Sequence, residues 1–89
     1  MDWSLSLEQK FHIYLVCSYL YYVLDKSYIL NDDYDRICKE LAANFDSFDH
    51  RFKHLVSREM LETVTGFGIQ YPDHIRKSAE YYMDNFIER

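Results

Sequence analysis

Residues 31–45, NDDYDRICKELAANF, decide the fold. Tyr34, Ile37, Cys38, Leu41 and Phe45 recur at i, i+3, i+4, i+7 and i+11, which lines one narrow side of an α-helix with apolar groups. Asn31 stands where an N-cap belongs, and Asp32 and Asp33 place negative charge at the positive end of the helix dipole. Asp35 with Lys39 and Arg36 with Glu40 are expected to pair on the outer face at i, i+4. Upstream, Ser6-Leu7-Glu8-Gln9 has the form of a capping box, so a first helix should start there and run to about Asp25. At 100° per residue it separates two unlike faces. Ile13, Val16, Cys17, Leu20, Val23 and Leu24 form an aliphatic one; Phe11, Tyr14, Ser18, Tyr21, Tyr22 and Asp25 form a largely phenolic one. The link from Lys26 to Leu30 lacks helical periodicity and is short, so the two helices should fold back as an antiparallel hairpin over residues 6–45.

Downstream, Asp46-Ser47-Phe48-Asp49 reads as a turn, and Phe48, Phe52, Leu55 and Val56 are the core contacts of the basic segment that follows it. Ser57 is positioned to cap a short helix ending near Gly66. Residues 66–71 read as a loop, and Pro72 suits the first turn of a last, longer helix with the stripe Ile75, Ser78, Ala79, Tyr82 and Phe86. The expected fold class is all-α: an antiparallel helical hairpin plus one short and one longer C-terminal helix, in a single domain over 1–89.

Composition supports that class. Eighty-nine residues leave room for one core, and 48% hydrophobic residues with only two Gly and one Pro argue against disorder or a loop-rich scaffold. The net charge of −5 lacks the long-range attraction that gathers phosphate, so direct nucleic-acid binding is disfavoured. Residues 1–45 carry four basic and seven acidic groups and residues 46–89 six and eight, so no charged tail stands out. Cys17 and Cys38 lie in apolar patterns without CxxC spacing, as buried free thiols in a reducing compartment would. The apolar stretch from Tyr14 to Leu24 is about half a membrane span, and the Met-Asp-Trp-Ser opening has no basic n-region; a cytoplasmic protein without membrane attachment is expected.

No spacing in the chain is diagnostic of catalysis. His50 and His54 stand four apart as two metal ligands would, but no Glu follows His50 and no third ligand is evident, so a solvated basic patch with Arg51, Lys53 and Arg58 is the plainer reading. The same patch is a weak candidate for phosphate or an acidic protein surface. Gly66-Phe67-Gly68 lacks the third glycine and the Gly-Lys-Ser/Thr ending of a phosphate cradle, and reads as a flexible turn. The phenols are the distinctive feature. Tyr14, Tyr19, Tyr21, Tyr22, Tyr28 and Tyr34 crowd into twenty-one positions, and each buried hydroxyl needs a partner. They are either core tyrosines with surface-reaching tips or an interaction surface.

The runs Tyr19-Leu20-Tyr21-Tyr22-Val23-Leu24-Asp25, Asn31-Asp32-Asp33-Tyr34-Asp35-Arg36 and Glu40-Leu41 together resemble the N-terminal helical subdomain of NAD-dependent bacterial DNA ligases, over roughly a third of the chain. The resemblance implies a module that closes over the nicotinamide mononucleotide half of NAD, with an electron-rich phenol face against the cationic ring. By position it implies a ligand site of Tyr21, Tyr22, Asn31, Tyr34 and Asp35, with Tyr22 where the family usually has His and Asn31 where it has Asp. The nucleotidyltransferase Lys-x-Asp-Gly motif is absent, so the chain alone is not expected to adenylate or to be an enzyme. It resembles a free-standing gripping module of the kind a compact viral genome carries, acting in the host cytoplasm. The expected function is a non-catalytic binding or adaptor protein using the Tyr-rich hairpin on a protein partner, a second copy of itself included. NAD or nicotinamide mononucleotide binding beside a separate nucleotidyltransferase is the alternative, and acidic inhibition of a DNA-handling protein through Asp32 and Asp33 is a third. No metal site is expected.

Overall fold

The computed structural model describes residues 3–26, 31–66 and 68–84. They form four α-helices, α1 (Leu7–Tyr22), α2 (Asn31–Ala43), α3 (Arg58–Glu62) and α4 (Asp73–Tyr82), with 3-10 turns at Phe45–Ser47 and Lys53–Leu55. The fold is all-α, with no strand among the described residues.

The capping box of α1 forms as its sequence requires: Ser6 Oγ accepts the Gln9 N–H at 3.1 Å, and Gln9 Oε1 accepts the Ser6 N–H at 2.9 Å. The helix stops at Tyr22, three residues short of the expected Asp25. Asp25 takes a left-handed φ of 56°, and the Lys26 N–H turns back to Leu20 O at 2.8 Å. Both faces expected on α1 are largely buried as far as Leu20 and become exposed at its C-terminal end, at Tyr21, Tyr22 and Val23. Phe11, Tyr14 and Ser18 from the phenolic side and Val16, Cys17 and Leu20 from the aliphatic side lie in the core. The reason is α1's central place, with α2 and α4 both packed on it. From Phe11 to Leu24 the sequence has no Asp, Glu, Lys or Arg, and a helix that is apolar all round is a buried helix.

Helix α2 runs antiparallel to α1, since Ser18 meets Tyr34 while Lys10 meets Glu40. Its stripe seals Ile37, Cys38 and Leu41 completely. The Asp35–Lys39 pair forms at 2.9 Å. The expected Arg36–Glu40 pair is replaced: Glu40 takes the buried Lys10 ammonium at 2.6 Å, and the Arg36 guanidinium lies 3.9 Å above the Trp3 ring. Cys17 and Cys38 are buried free thiols.

Beyond α2, Phe48 and Val56 are buried, and Phe52 and Leu55 pack against the core from half-buried positions. Ser57 Oγ accepts the Met60 N–H at 3.2 Å and starts α3, which packs on α2. This helix ends at Glu62 rather than near Gly66, because the chain reverses at Val64 (φ 55°) with Val64 N–H to Leu61 O at 3.1 Å and Thr65 N–H to Met60 O at 3.0 Å. That pair of bonds is a Schellman end with valine in the left-handed position glycine normally fills. Pro72 precedes α4, whose Ile75 and Ala79 are fully buried against α1. Tyr28 and Phe86, and most of the 26–30 link, lie outside the described residues. No helix among the described residues is long and apolar enough to cross a membrane.

Candidate functional site

The phenols converge, and what they converge on is the chain's own loop after α3. Tyr14 donates its hydroxyl to Thr65 O at 2.7 Å, Tyr71 donates to Gly66 O at 2.9 Å, and the Tyr22 hydroxyl lies 3.4 Å from Thr65 Oγ1. Beside them Ser18 Oγ and the Tyr34 hydroxyl share a bond of 2.7 Å, and the Tyr34 ring stacks on Tyr14 at 5.9 Å. Gly66 is buried under this group; a Cβ there would stand 2.4 Å from both Ser18 Cβ and Oγ and 3.3 Å from the Tyr34 hydroxyl. The sequence attributes Gly66 to turn flexibility, whereas the requirement is for space. Burial pushes the Tyr14, Tyr34 and Tyr71 phenols well above their ordinary range, with the Ser18 bond opposing that rise at Tyr34. These are neutral hydroxyls that satisfy backbone carbonyls and one another.

Of the five residues singled out in the sequence, Tyr34 is half-buried inside this clasp, and Asp35 beside it is held by Lys39. Asn31 is exposed at the start of α2. Tyr22 sits at the rim: its hydroxyl reaches Thr65 while its residue stays 37% exposed. Tyr21, 55% exposed, packs edge-on to the Tyr22 ring at 4.9 Å, and the adjacent Val23 is 53% exposed. The phenolic face therefore divides into an internal part, Tyr14, Ser18 and Tyr34, and an outward end at Tyr21, Tyr22 and Val23. Sequence reasoning placed Ser18 on the phenolic side with Tyr14 but missed Thr65, Gly66 and Tyr71 as members of the cluster. The one signal in the sequence was the glycine at position 66; that it lacks a left-handed φ, and is there for space, is shown by the structure.

The basic segment covers aromatic rings. Lys53 Nζ lies 4.7 Å from the Phe45 ring and 4.6 Å from Phe48 while donating to Phe48 O at 2.6 Å. Arg58 pairs with Asp46 at 2.7 Å and stands 5.5 Å from Phe45, and Arg51 lies 4.7 Å above Phe52. Cations engaged in this way hold the segment to the core by their ring contacts. His54 belongs to the 3-10 turn, so His50 and His54 do not share an α-helical face. Among the described residues no group of three or more His, Cys, Asp or Glu side chains is arranged to hold a metal ion. A hollow of about 270 Å³ is bordered by His74, Lys77, Ser78, Tyr81 and Tyr82, away from the residues expected to bind a ligand.

Comparison of the chain with protein-family models, curated proteins and solved structures finds no match.

Proposed function

We propose that the chain is a non-catalytic binding module that offers the C-terminal end of α1 to a protein partner. The observation that supports this reading is the run Tyr21, Tyr22 and Val23, each more than a third exposed. Two phenols and a β-branched residue on one helix end, with Tyr22 steadied by Thr65, make a rigid, amphipathic anchor of the kind that concentrates binding energy at interfaces. Tyr34 is less suited to stack on a nicotinamide, since its ring lies against Tyr14 and its hydroxyl is engaged by Ser18.

A photo-crosslinking residue placed at Tyr21 tests the proposal in extract from the native source, with a second at the exposed Glu62 as reference. The expected result is a discrete adduct from position 21 only, lost when Val23→Asp is added to a chain that keeps its helical circular dichroism. Equal adducts at both positions, or an adduct indifferent to Val23→Asp, refute it. Calorimetric titration with NAD and nicotinamide mononucleotide discriminates the alternative: saturable heat removed by Tyr34→Phe assigns the hairpin to a dinucleotide fragment instead.

A further inference from the structure

Three of the four histidines meet although they are far apart in sequence. His12 of α1 lies 6.2 Å, ring centre to ring centre, from His50 and 5.8 Å from His74 at the start of α4. Aromatic rings back the group: Phe11, fully buried, is 5.0 Å from His50, and Phe52 is 5.7 Å from His50 and 6.2 Å from His74. His50 also has a defined protonation state. Its Nδ1 accepts the Phe52 N–H at 3.0 Å, so the ring is the neutral tautomer with its proton on Nε2. An imidazolium has no acceptor. Protonating His50 therefore removes the bond that shapes the 50–52 turn and places a positive charge beside two other imidazoles.

The surrounding charges are mixed. On α1 the group meets Glu8, on the 49–52 segment Asp49 and Arg51, and on α4 His74, whose neighbour Asp73 is paired with Arg76 at 2.9 Å. Burial holds His50 below its ordinary range; Glu8 and Asp49 work against that, Arg51 and His74 with it. Burial likewise holds His12 down, and His50 and His74 add to the effect. The sign follows directly. An imidazole easier to protonate in the unfolded chain than in the folded one stabilises the fold fully above the ordinary histidine range, and that stability is lost as pH falls through and below it.

We propose that His12 and His50, with the His74 ring docked on His12, form an acid-sensitive latch that fastens α4 and the 49–52 turn to α1, closed while His12 and His50 are neutral and released when they are protonated. Opening it frees α4 while the α1–α2 pair stays joined, because the α1–α2 contacts are made through Tyr34, Ser18, Lys10 and Glu40 and involve none of these rings.

Amide hydrogen exchange of the full chain at about pH 7.5 and about pH 5, corrected for intrinsic rates, reads the two units separately. The expected result is a loss of protection of about tenfold or more over residues 73–82 at the lower pH, with residues 34–42 unchanged. The variant His12→Gln with His50→Asn removes both titrating rings, and the Asn oxygen can still accept an N–H two residues on at every pH; α4 should then be equally protected at both. If that variant is unfolded by circular dichroism, wild-type NMR decides the matter, with the α4 amide shifts following the His50 ring titration in the latch and independent of it otherwise. Parallel loss of protection in both units, no loss in either, or pH-dependent release surviving in a folded variant overturns the proposal.

Discussion

Gly66→Ala is the sharpest test of the tyrosine clasp. The new methyl would lie 2.4 Å from Ser18 Cβ and Oγ, against an ordinary carbon separation of roughly 3.5–4 Å, so more than an ångström of movement is needed. Ser18 cannot supply it: its residue is fully buried on the central helix, between neighbours that are buried too. The loop must lift, and in lifting it draws Thr65 O from Tyr14 and Gly66 O from Tyr71, now bonded at 2.7 and 2.9 Å. Overpacking of a sealed site costs about 1–3 kcal/mol and each of the two weakened hydrogen bonds about 1 kcal/mol, for about 3–5 kcal/mol in all. Backbone strain adds nothing to this figure, because Gly66 does not occupy the left-handed region, and the smaller unfolded-state entropy of alanine offsets it by less than about 1 kcal/mol. Urea titration followed by intrinsic fluorescence measures it as a lower midpoint at constant slope. Partial rescue should be specific: Ser18→Gly removes both clashing atoms and should recover stability in the Gly66→Ala background, while Ser18→Ala leaves the Cβ in place and should not. A loss under about 0.5 kcal/mol, or equal rescue by alanine, refutes the close approach as the reason for glycine.

Val64 carries the opposite backbone argument: at φ 55° a β-branched residue is strained by about 1–2 kcal/mol, so Val64→Gly should be more stable than Val64→Ala by about 1 kcal/mol in thermal denaturation, the reverse of the order expected within a helix. Glu40→Gln leaves the Lys10 ammonium, 5% exposed, without its counter-charge; a loss of about 1–3 kcal/mol is expected in urea, with recovery on adding Lys10→Met. Burial pushes the Cys17 and Cys38 thiols up to about 12, so a thiol reagent at about pH 8 should label neither in the native chain and both in urea. Since those values are raised in the fold, the stability they contribute is complete below the ordinary thiol value of 9.0 and falls as pH rises beyond it, which a series of alkaline melts checks.

How far the sequence carries these conclusions depends on whether a feature is local. Helix-start signals are local: Ser6, Ser57 and Pro72 immediately precede α1, α3 and α4, and Asn31, expected as the cap of α2, is instead its first residue. The α2 stripe is local as well, since one side of that helix meets the core and the other meets water, giving Ile37, Cys38 and Leu41 a readable period. Helix α1 has no such asymmetry. It is covered by α2 on one flank and α4 on another, so its phenolic side had as much reason to be inside as its aliphatic side, and the absence of charge from Phe11 to Leu24 was the sign of it. The histidines show the same limit more severely. The pairing visible in sequence, His50 with His54, rests on a helical spacing that a 3-10 turn does not keep, whereas the contact that forms, His12 with His50 and His74, depends on how three separate elements dock.

The division of the tyrosines follows from the same physics. A phenol in the interior must place its hydroxyl on an acceptor, and the loop after α3 presents two backbone carbonyls, Thr65 O and Gly66 O, that no helix or strand uses. Tyr14 and Tyr71 meet that need, and Tyr34 meets the Ser18 hydroxyl; the tyrosine-rich sequence is thus in large part the means by which a loop with a strained valine is held against a central helix. Tyr21 and Val23 have no part in these loop bonds and lie outward, which is why the binding proposal rests on them. The two roles are separable by experiment. Tyr14→Phe should lower stability by about 1 kcal/mol and leave binding at position 21 intact, because it removes a buried hydroxyl and strands the Thr65 carbonyl. Tyr21→Ala should leave the melting temperature nearly unchanged and, added in excess, should no longer compete for the adduct formed at position 21, as the unsubstituted chain does. A Tyr21→Ala chain that melts as low as Tyr14→Phe would place Tyr21 in the clasp and remove the reason for assigning that end of α1 to a partner.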